Sequence, residues 1–269
     1  MKVHVSVNIS DGSTVGVGLP YIATFNQKIT DGVAFEQATK VTINGQPADA
    51  RWYFEYSDPA SGHVMEAHLR PETYWPAHAQ IHVDLPVSGM SGGAVANHPD
   101  SQYVFDDSLT STWATGDAHI VTVSEATHTL TVTDDGKVWR TAPVSLGAAD
   151  TSTKRGIKVI MEKGLDIRMT GPGYDDPHVK YTQRLTYGGE YLHYAPWNTY
   201  NITHGVDSSN GCTNLLQADA VALYGFLGVG DVVSYPDATG PKMQFGAGYG
   251  DWNVSWALWS TGGVVHTTQ

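Results

Sequence analysis

The chain has 269 residues, of which 41% are hydrophobic, and carries a formal net charge of −12. That length fills one large or two ordinary domains, and the apolar content excludes a disordered chain. The acidic balance and the lack of clustered Lys and Arg argue against nucleic acid or an anionic membrane surface as partner. A single cysteine excludes an internal disulfide framework, and no run of eighteen apolar residues is present to span a bilayer.

With 29 glycines, 13 prolines and many Thr, Val and Tyr residues, the composition predicts a mainly β protein of short strands and turns. The start, MKVHVSVNIS, alternates like a strand and has no signal-peptide core. It is expected either to follow a removed leader or to belong to a leaderless chain. Residues 1–117 are expected to form a β-sandwich. Short alternating runs recur at Val3–Val7, Tyr21–Phe25, Val41–Ile43, Trp52–Phe54, Val64–Leu69 and Ile81–Val83. Asp11-Gly12, Asp31-Gly32, Asn44-Gly45 and Ser61-Gly62 supply turns. A short helix is predicted over Asp31–Ala38, capped by Asp31 or Thr30, and Tyr74-Trp75-Pro76 reads as a core corner.

A second domain is expected over 118–239. His119–Val123, His128–Val132 and Val138–Thr141 read as a meander with a tight turn at Asp134–Lys137, followed by a polar loop over 146–156 and a strand at Ile157–Met161. Between Leu165 and Gln183 the pattern is broken by Gly171-Pro172-Gly173 and Asp175-Asp176-Pro177, which predicts a surface flap. Apolar residues at helical spacing over Leu215–Leu227 predict one main helix, with Asn214 as its N-cap. A strand over Asp231–Tyr235 ends at Pro236. Residues 240–269 form a tail in which Trp252, Trp256 and Trp259 would be costly to expose, so it should dock on the folded body.

The chemistry gathers near Cys212, in the run Ser209-Asn210-Gly211-Cys212-Thr213-Asn214, with His193 and His204 upstream. A lone cysteine with histidines able to fold back on it is the sequence form of a thiolate nucleophile and its base. Were Cys212 at a helix N-terminus, the dipole would lower its pKa. The N–H groups of Asn210, Gly211 and Cys212 could then face a developing oxyanion. A buried structural thiol is the bland reading, and the polar, turn-forming Ser-Asn-Gly before Cys212 weighs against it. A metal site from His193, His204 and Cys212 lacks any paired ligand element, so neither metal nor cofactor is expected.

The stretch resembles the catalytic motif of the L,D-transpeptidases, cysteine enzymes of bacterial cell-wall synthesis. In that family an upstream histidine precedes a Ser/Thr-His-Gly-Cys-x-Asn signature. His193-Tyr194-Ala195-Pro196-Trp197 and Gly250-Asp251-Trp252-Asn253 are similar to segments of the actinobacterial members. The region holding Asp11–Gly18 and Tyr74–Ala77 is similar to their immunoglobulin-like domain. The resemblance covers nearly the whole chain. The signature histidine is Asn210 here, a side chain that cannot titrate. The resemblance implies Cys212 as nucleophile and His193 as base, with Ser209, Asn210, Gly211 and His204 lining the site. Trp197, Tyr181, Asn214 and Tyr194 are candidates for substrate contact. It further implies peptidoglycan tetrapeptide stems as substrate, 3→3 cross-links as product, β-lactams of the carbapenem type as covalent inhibitors, and an extracytoplasmic setting. Two other readings stay open: a non-catalytic or hydrolytic wall-binding protein, and a phage virion component whose partners would be tail proteins.

Overall fold

The computed structural model describes residues 1–57, 63–171 and 174–265, so the predicted turn at Ser61-Gly62 and the Pro172-Gly173 break lie outside the described residues. The chain divides into two compact units: one of Met1–Val15, Pro20–Gly116 and Val254–Gln269, the other of Gly16–Leu19 and Asp117–Asn253. Both are built mainly of strands.

In the first unit a four-stranded sheet runs in the order Val5–Val7, Tyr21–Phe25, Met65–Pro71, Ala50–Tyr56. A five-stranded sheet runs Thr14–Val15, Leu109–Thr115, Gln80–Leu85, Lys40–Ile43, Gln46–Pro47. The predicted strands are present, with the first interrupted at His4. Asn44 and Gly45 adopt φ of 51° and 77°, as a two-residue hairpin between Lys40–Ile43 and Gln46–Pro47 requires. The predicted helix forms over Val33–Ala38; its N-cap position is Gly32, while the Asp31 carboxylate accepts the Val33 N–H at 2.8 Å. The aromatic reading holds, since Trp75 is buried and packs edge-on against Trp113, which stacks on Tyr21 at 5.0 Å. Sequence patterning missed the strands Ser91–Val95, His98–Phe105 and Leu109–Thr115, whose apolar residues are interspersed with Gly, Ser and Thr. Within this unit, the last described segment adds the helix Trp256–Trp259. The Trp259 ring is fully buried, stacks on Tyr53 at 5.1 Å and donates Nε1–H to the Arg51 carbonyl at 2.8 Å.

The second unit has a five-stranded sheet in the order Lys137–Pro143, Thr129–Asp134, His119–Ser124, Val232–Tyr235, Gly156–Val159. The meander is as predicted, and its turn has φ of 45° at Asp135 and 79° at Gly136. The strand near Asp231 inserts parallel to His119–Ser124. A four-stranded sheet of Glu162–Gly171, Tyr174–Arg184, Tyr191–Tyr194 and Thr213–Leu215 completes the unit. Val121, Val123, Leu130, Val132, Leu192, Leu215 and Leu223, each fully buried, join one core. Trp252 belongs to this unit and donates Nε1–H to the Gly18 carbonyl at 2.8 Å.

Two expectations are corrected. Leu165–Gly171 and Tyr174–Gln183 lie in two paired antiparallel strands, with a register shift between Ile167 and Met169 opposite the stretch that contains Pro177. Proline cannot donate to a ladder and is tolerated at such a bulge. The alternation that signals a strand is weak here because most side chains on both strands are at least partly exposed. The main helix spans Gln217–Phe226 with Leu216 at its N-cap, and Thr213–Leu215 is a strand. Asn214 is therefore no helix cap and Cys212 lies at no helix N-terminus. Its parallel pairing with Tyr191–Tyr194 recruits Thr213–Leu215 into the sheet, a long-range contact that outweighs local helical spacing.

Candidate active site

Parallel pairing of Tyr191–Tyr194 with Thr213–Leu215 sets His193 opposite Asn214, and Cys212 immediately precedes the second strand. Cys212, His193 and Asn214 line one cavity of about 260 Å³. Met169, Tyr174, Asp176 and Val179 come to it from the paired strands Glu162–Gly171 and Tyr174–Arg184; Trp197, Asn198 and Asn201 from the helical turns after His193; Ser208, Ser209 and Asn210 from the loop ahead of the cysteine.

That loop is held from behind. Ser208 and Ser209 donate their N–H groups to the Leu146 carbonyl at 2.9 and 3.0 Å. The Thr151 hydroxyl donates to the Ser209 carbonyl at 2.7 Å, and Thr153 donates to the Gly211 carbonyl at 3.0 Å. The polar stretch 146–156 thus serves as the clamp of the cysteine loop. Gly211 takes φ of 102°, open to glycine and strained for any other residue. Its N–H donates to Ser209 Oγ at 3.2 Å, and that hydroxyl donates to the Cys212 carbonyl at 2.6 Å. Of the three N–H groups expected to face an oxyanion, that of Gly211 is thus engaged within the loop.

The Cys212 thiol points toward the Gly189 carbonyl at 3.5 Å. Burial pushes its pKa up to about 12; the Tyr191 N–H pulls the other way, Glu190 adds to the rise and Lys158 opposes it. The thiol is therefore protonated at rest. His193 is almost fully buried, and burial lowers its pKa, opposed by the bond to the Tyr194 carbonyl. Nδ1–H donates to that carbonyl at 2.8 Å, which fixes the tautomer and leaves the Nε2 lone pair to accept from Asn214 Nδ2 at 3.0 Å. Asn214 Oδ1 accepts from Asn198 Nδ2 at 2.8 Å, and Asn198 Oδ1 accepts from Asn201 and Ser208. The imidazole thus ends a chain of buried amides.

Behind the cysteine lies a pair that sequence reasoning did not find. Lys158 has no exposed side-chain surface, and its Nζ sits 2.8 Å from Glu190 Oε2 and 3.9 Å from the centre of the Tyr235 ring. Burial lowers the Lys158 pKa to about 8 against the pull of Glu190. Glu190 Oε1 accepts the Lys154 N–H at 2.8 Å, and the Tyr235 hydroxyl meets Thr213 Oγ1 at 2.7 Å. A lysine in an apolar strand offers no sign that it will be buried. Asn198 and Ser208 were equally unsignalled.

Of the other expected site residues, Ser209, Asn210 and Trp197 reach the cavity and Trp197 is 57% exposed there. Four do not line it. Gly211 is buried, its N–H held by Ser209 Oγ. Tyr181 packs on the core and meets Tyr224 edge-on at 5.8 Å; Tyr194 packs on the same core. His204 is exposed on the short helix Thr199–His204, stacked on Tyr200 at 4.0 Å with Nδ1 bonded to the Tyr200 carbonyl. Strand alternation turns Tyr194 away from the face that His193 presents, and His204 is held by its own helix.

A protonated thiol just ahead of one strand and a neutral imidazole on its neighbour, sharing a cavity, are the components of a cysteine acyl-transfer centre. Comparison with known proteins agrees. Residues 118–234 match an L,D-transpeptidase catalytic domain and residues 1–91 a bacterial Ig domain. The chain is 29% identical over 262 residues to L,D-transpeptidase 2 of Mycobacterium tuberculosis, covering 94% of this chain but 60% of that protein's length. It is 30% identical over 237 residues to L,D-transpeptidase 1 of the same species, covering 85% of this chain and 82% of that one. An L,D-transpeptidase from Mycobacterium smegmatis superposes with a TM-score of 0.66 at 27% identity, over 87% of this chain and 98% of that one. An L,D-transpeptidase solved in complex with imipenem gives 0.66 at 28%, over 86% and 97%. The chain belongs to the L,D-transpeptidase family, with an Ig-like domain preceding a β-rich catalytic domain.

Proposed function

We propose that the protein is a peptidoglycan L,D-transpeptidase working outside the cytoplasmic membrane, with catalysis carried by residues 118–239. The observation that supports this most is the shared cavity of Cys212 and His193, with the imidazole tautomer set so that Nε2 carries the lone pair. His193 Nε2 takes the thiol proton as sulfur attacks the carbonyl carbon of the third stem residue, a diaminopimelate L-centre. The tetrahedral intermediate collapses with scission of the C–N bond to the terminal D-alanine, whose amine leaves with the proton from the imidazolium. The thioester is then attacked by a side-chain amine of a second stem. His193 accepts the amine proton, the C–S bond breaks, and a 3→3 cross-link and the free thiol result.

Trp197, exposed at the mouth, offers a flat apolar surface to a stem peptide, and Ser209, Asn210 and Asn214 offer polar contacts. Met169, Tyr174 and Asp176 from the paired strands also line the cavity, where Asp176 gives a carboxylate to meet an acceptor's ammonium group. A strained β-lactam carbonyl presented to the same thiol would give a stable acyl-enzyme.

Intact-mass spectrometry after incubation with imipenem and, separately, with a tetrapeptide-stem muropeptide tests the reading. One adduct at Cys212, absent in Cys212→Ala, together with a dimeric muropeptide, is expected. An adduct with only shortened monomer would make water the acceptor, and a Cys212→Ala protein that still takes up imipenem covalently would overturn the assignment of the nucleophile.

A further inference from the structure

Away from the cysteine, the Ig-like unit buries a second cluster of ionisable groups. In the paired strands Ala50–Tyr56 and Met65–Pro71, Glu55 stands directly opposite Glu66, and His68 lies two residues further along on the same face. Glu55 is 8% exposed, Glu66 4% and His68 2%. Like charges directly opposite each other weaken a strand pair, and burial makes each carboxylate costly unless a cation is close.

The distances match those between ligands of one metal ion. His68 Nε2 lies 3.5 Å from Glu55 Oε1 and 3.4 Å from Glu66 Oε2, longer than the usual 2.7–3.2 Å of an N–H···O bond. An ion bound at roughly 2.0–2.2 Å to imidazole nitrogen and carboxylate oxygen in a tetrahedron separates its ligands by about 3.4 Å. One ligand atom from each of the three residues falls within 4.8 Å of the others. The remaining oxygen of Glu66, Oε1, is bonded by His63 Nδ1, a contact of the kind that orients a ligating carboxylate from outside the coordination sphere.

We infer that Glu55, Glu66 and His68 form a binding site for one divalent transition-metal ion, with zinc as its natural fit, oriented by His63 and bracing the strand pair from within the Ig-like unit. One imidazole with two carboxylates suits zinc, and leaves a fourth position for water. The site differs from the groupings of possible ligands within either unit among the described residues, His4/Asp106/Asp107 and Asp117/His119/Asp134, which are exposed or half-buried.

The test uses the full chain, stripped with a chelator, desalted and titrated with zinc sulfate by calorimetry, on both the wild type and Cys212→Ser so that the thiol is excluded. One equivalent of zinc bound in both, with a raised thermal unfolding midpoint, is expected. Cobalt in place of zinc should give the visible absorption of a tetrahedral site. Glu66→Gln and His68→Gln should each weaken binding at least about a hundredfold, and His63→Ala by about ten- to a hundredfold. Glu55→Gln, nearly isosteric, serves as the reading variant if either of the first two fails to fold. No binding to the wild type, or binding equally tight in Glu55→Gln and His68→Gln, would overturn the site and leave a protein-only cluster of glutamates and histidines.

Discussion

Asn214 donates its Nδ2–H to His193 Nε2 at 3.0 Å, across the same parallel register that makes the two residues neighbours. The amide therefore occupies the lone pair that must accept the thiol proton. It holds the imidazole in place at rest and has to be displaced from that lone pair when the proton moves. Replacing Asn214 by Ala removes that bond and the one accepted from Asn198, and loss of the first, at about 1 kcal/mol, should lower kcat/KM about fivefold. His193→Ala, which removes the base itself, should lose about 10²–10⁴-fold. Equal losses in the two variants would show that Asn214 does more than hold the ring.

The resting thiol gives a pH signature. Burial raises the Cys212 pKa to about 12, so the thiolate fraction grows throughout the alkaline range. Alkylation by iodoacetamide should be slow at neutral pH and climb with pH without a plateau below about pH 10. A plateau near neutrality would mean that a thiolate–imidazolium pair already exists at rest. The raised folded-state pKa of Cys212 contributes stability below the ordinary thiol value, and that contribution is lost as pH rises toward about 12.

The Lys158–Glu190 pair should respond unequally to single and double substitution. Lys158→Met leaves the Glu190 carboxylate buried without its lysine, and should destabilise by about 3–5 kcal/mol. Lys158→Met with Glu190→Gln should restore most of that loss, read from denaturant midpoints. Because the folded-state pKa of Lys158 is lowered, to about 8, its own contribution to stability is present above the unfolded value and lost as pH falls through about 8. The difference between wild type and Lys158→Met followed against pH isolates that term.

Gly211→Ala separates backbone strain from crowding. A Cβ there would meet Glu190 Cγ no closer than 3.5 Å, an ordinary contact, so the cost comes from φ of 102°. A loss of about 1–3 kcal/mol is expected, with slower imipenem acylation as Cys212 shifts. Unchanged stability and acylation would show that the loop tolerates the strain.

Much of the site was legible in the chain. Cys212 and His193 follow from residue type and from the family's motif, and the β-rich character, the meander and the buried Trp75 and Trp259 follow from composition and alternation. Tertiary structure decided the rest. The paired strands within 165–183 are half-exposed on both faces and carry Pro177, so they leave little periodic trace. Thr213–Leu215 is a strand because a partner 21 residues back pairs with it, which local spacing cannot encode. Lys158 and Glu190 look like surface charges in one dimension and meet behind the cysteine in three. The sequence by itself determined which groups can react, since chemistry resides in side-chain type. Which of them share a cavity was decided by the fold, because sheet register and burial are set by contacts between residues far apart in the chain.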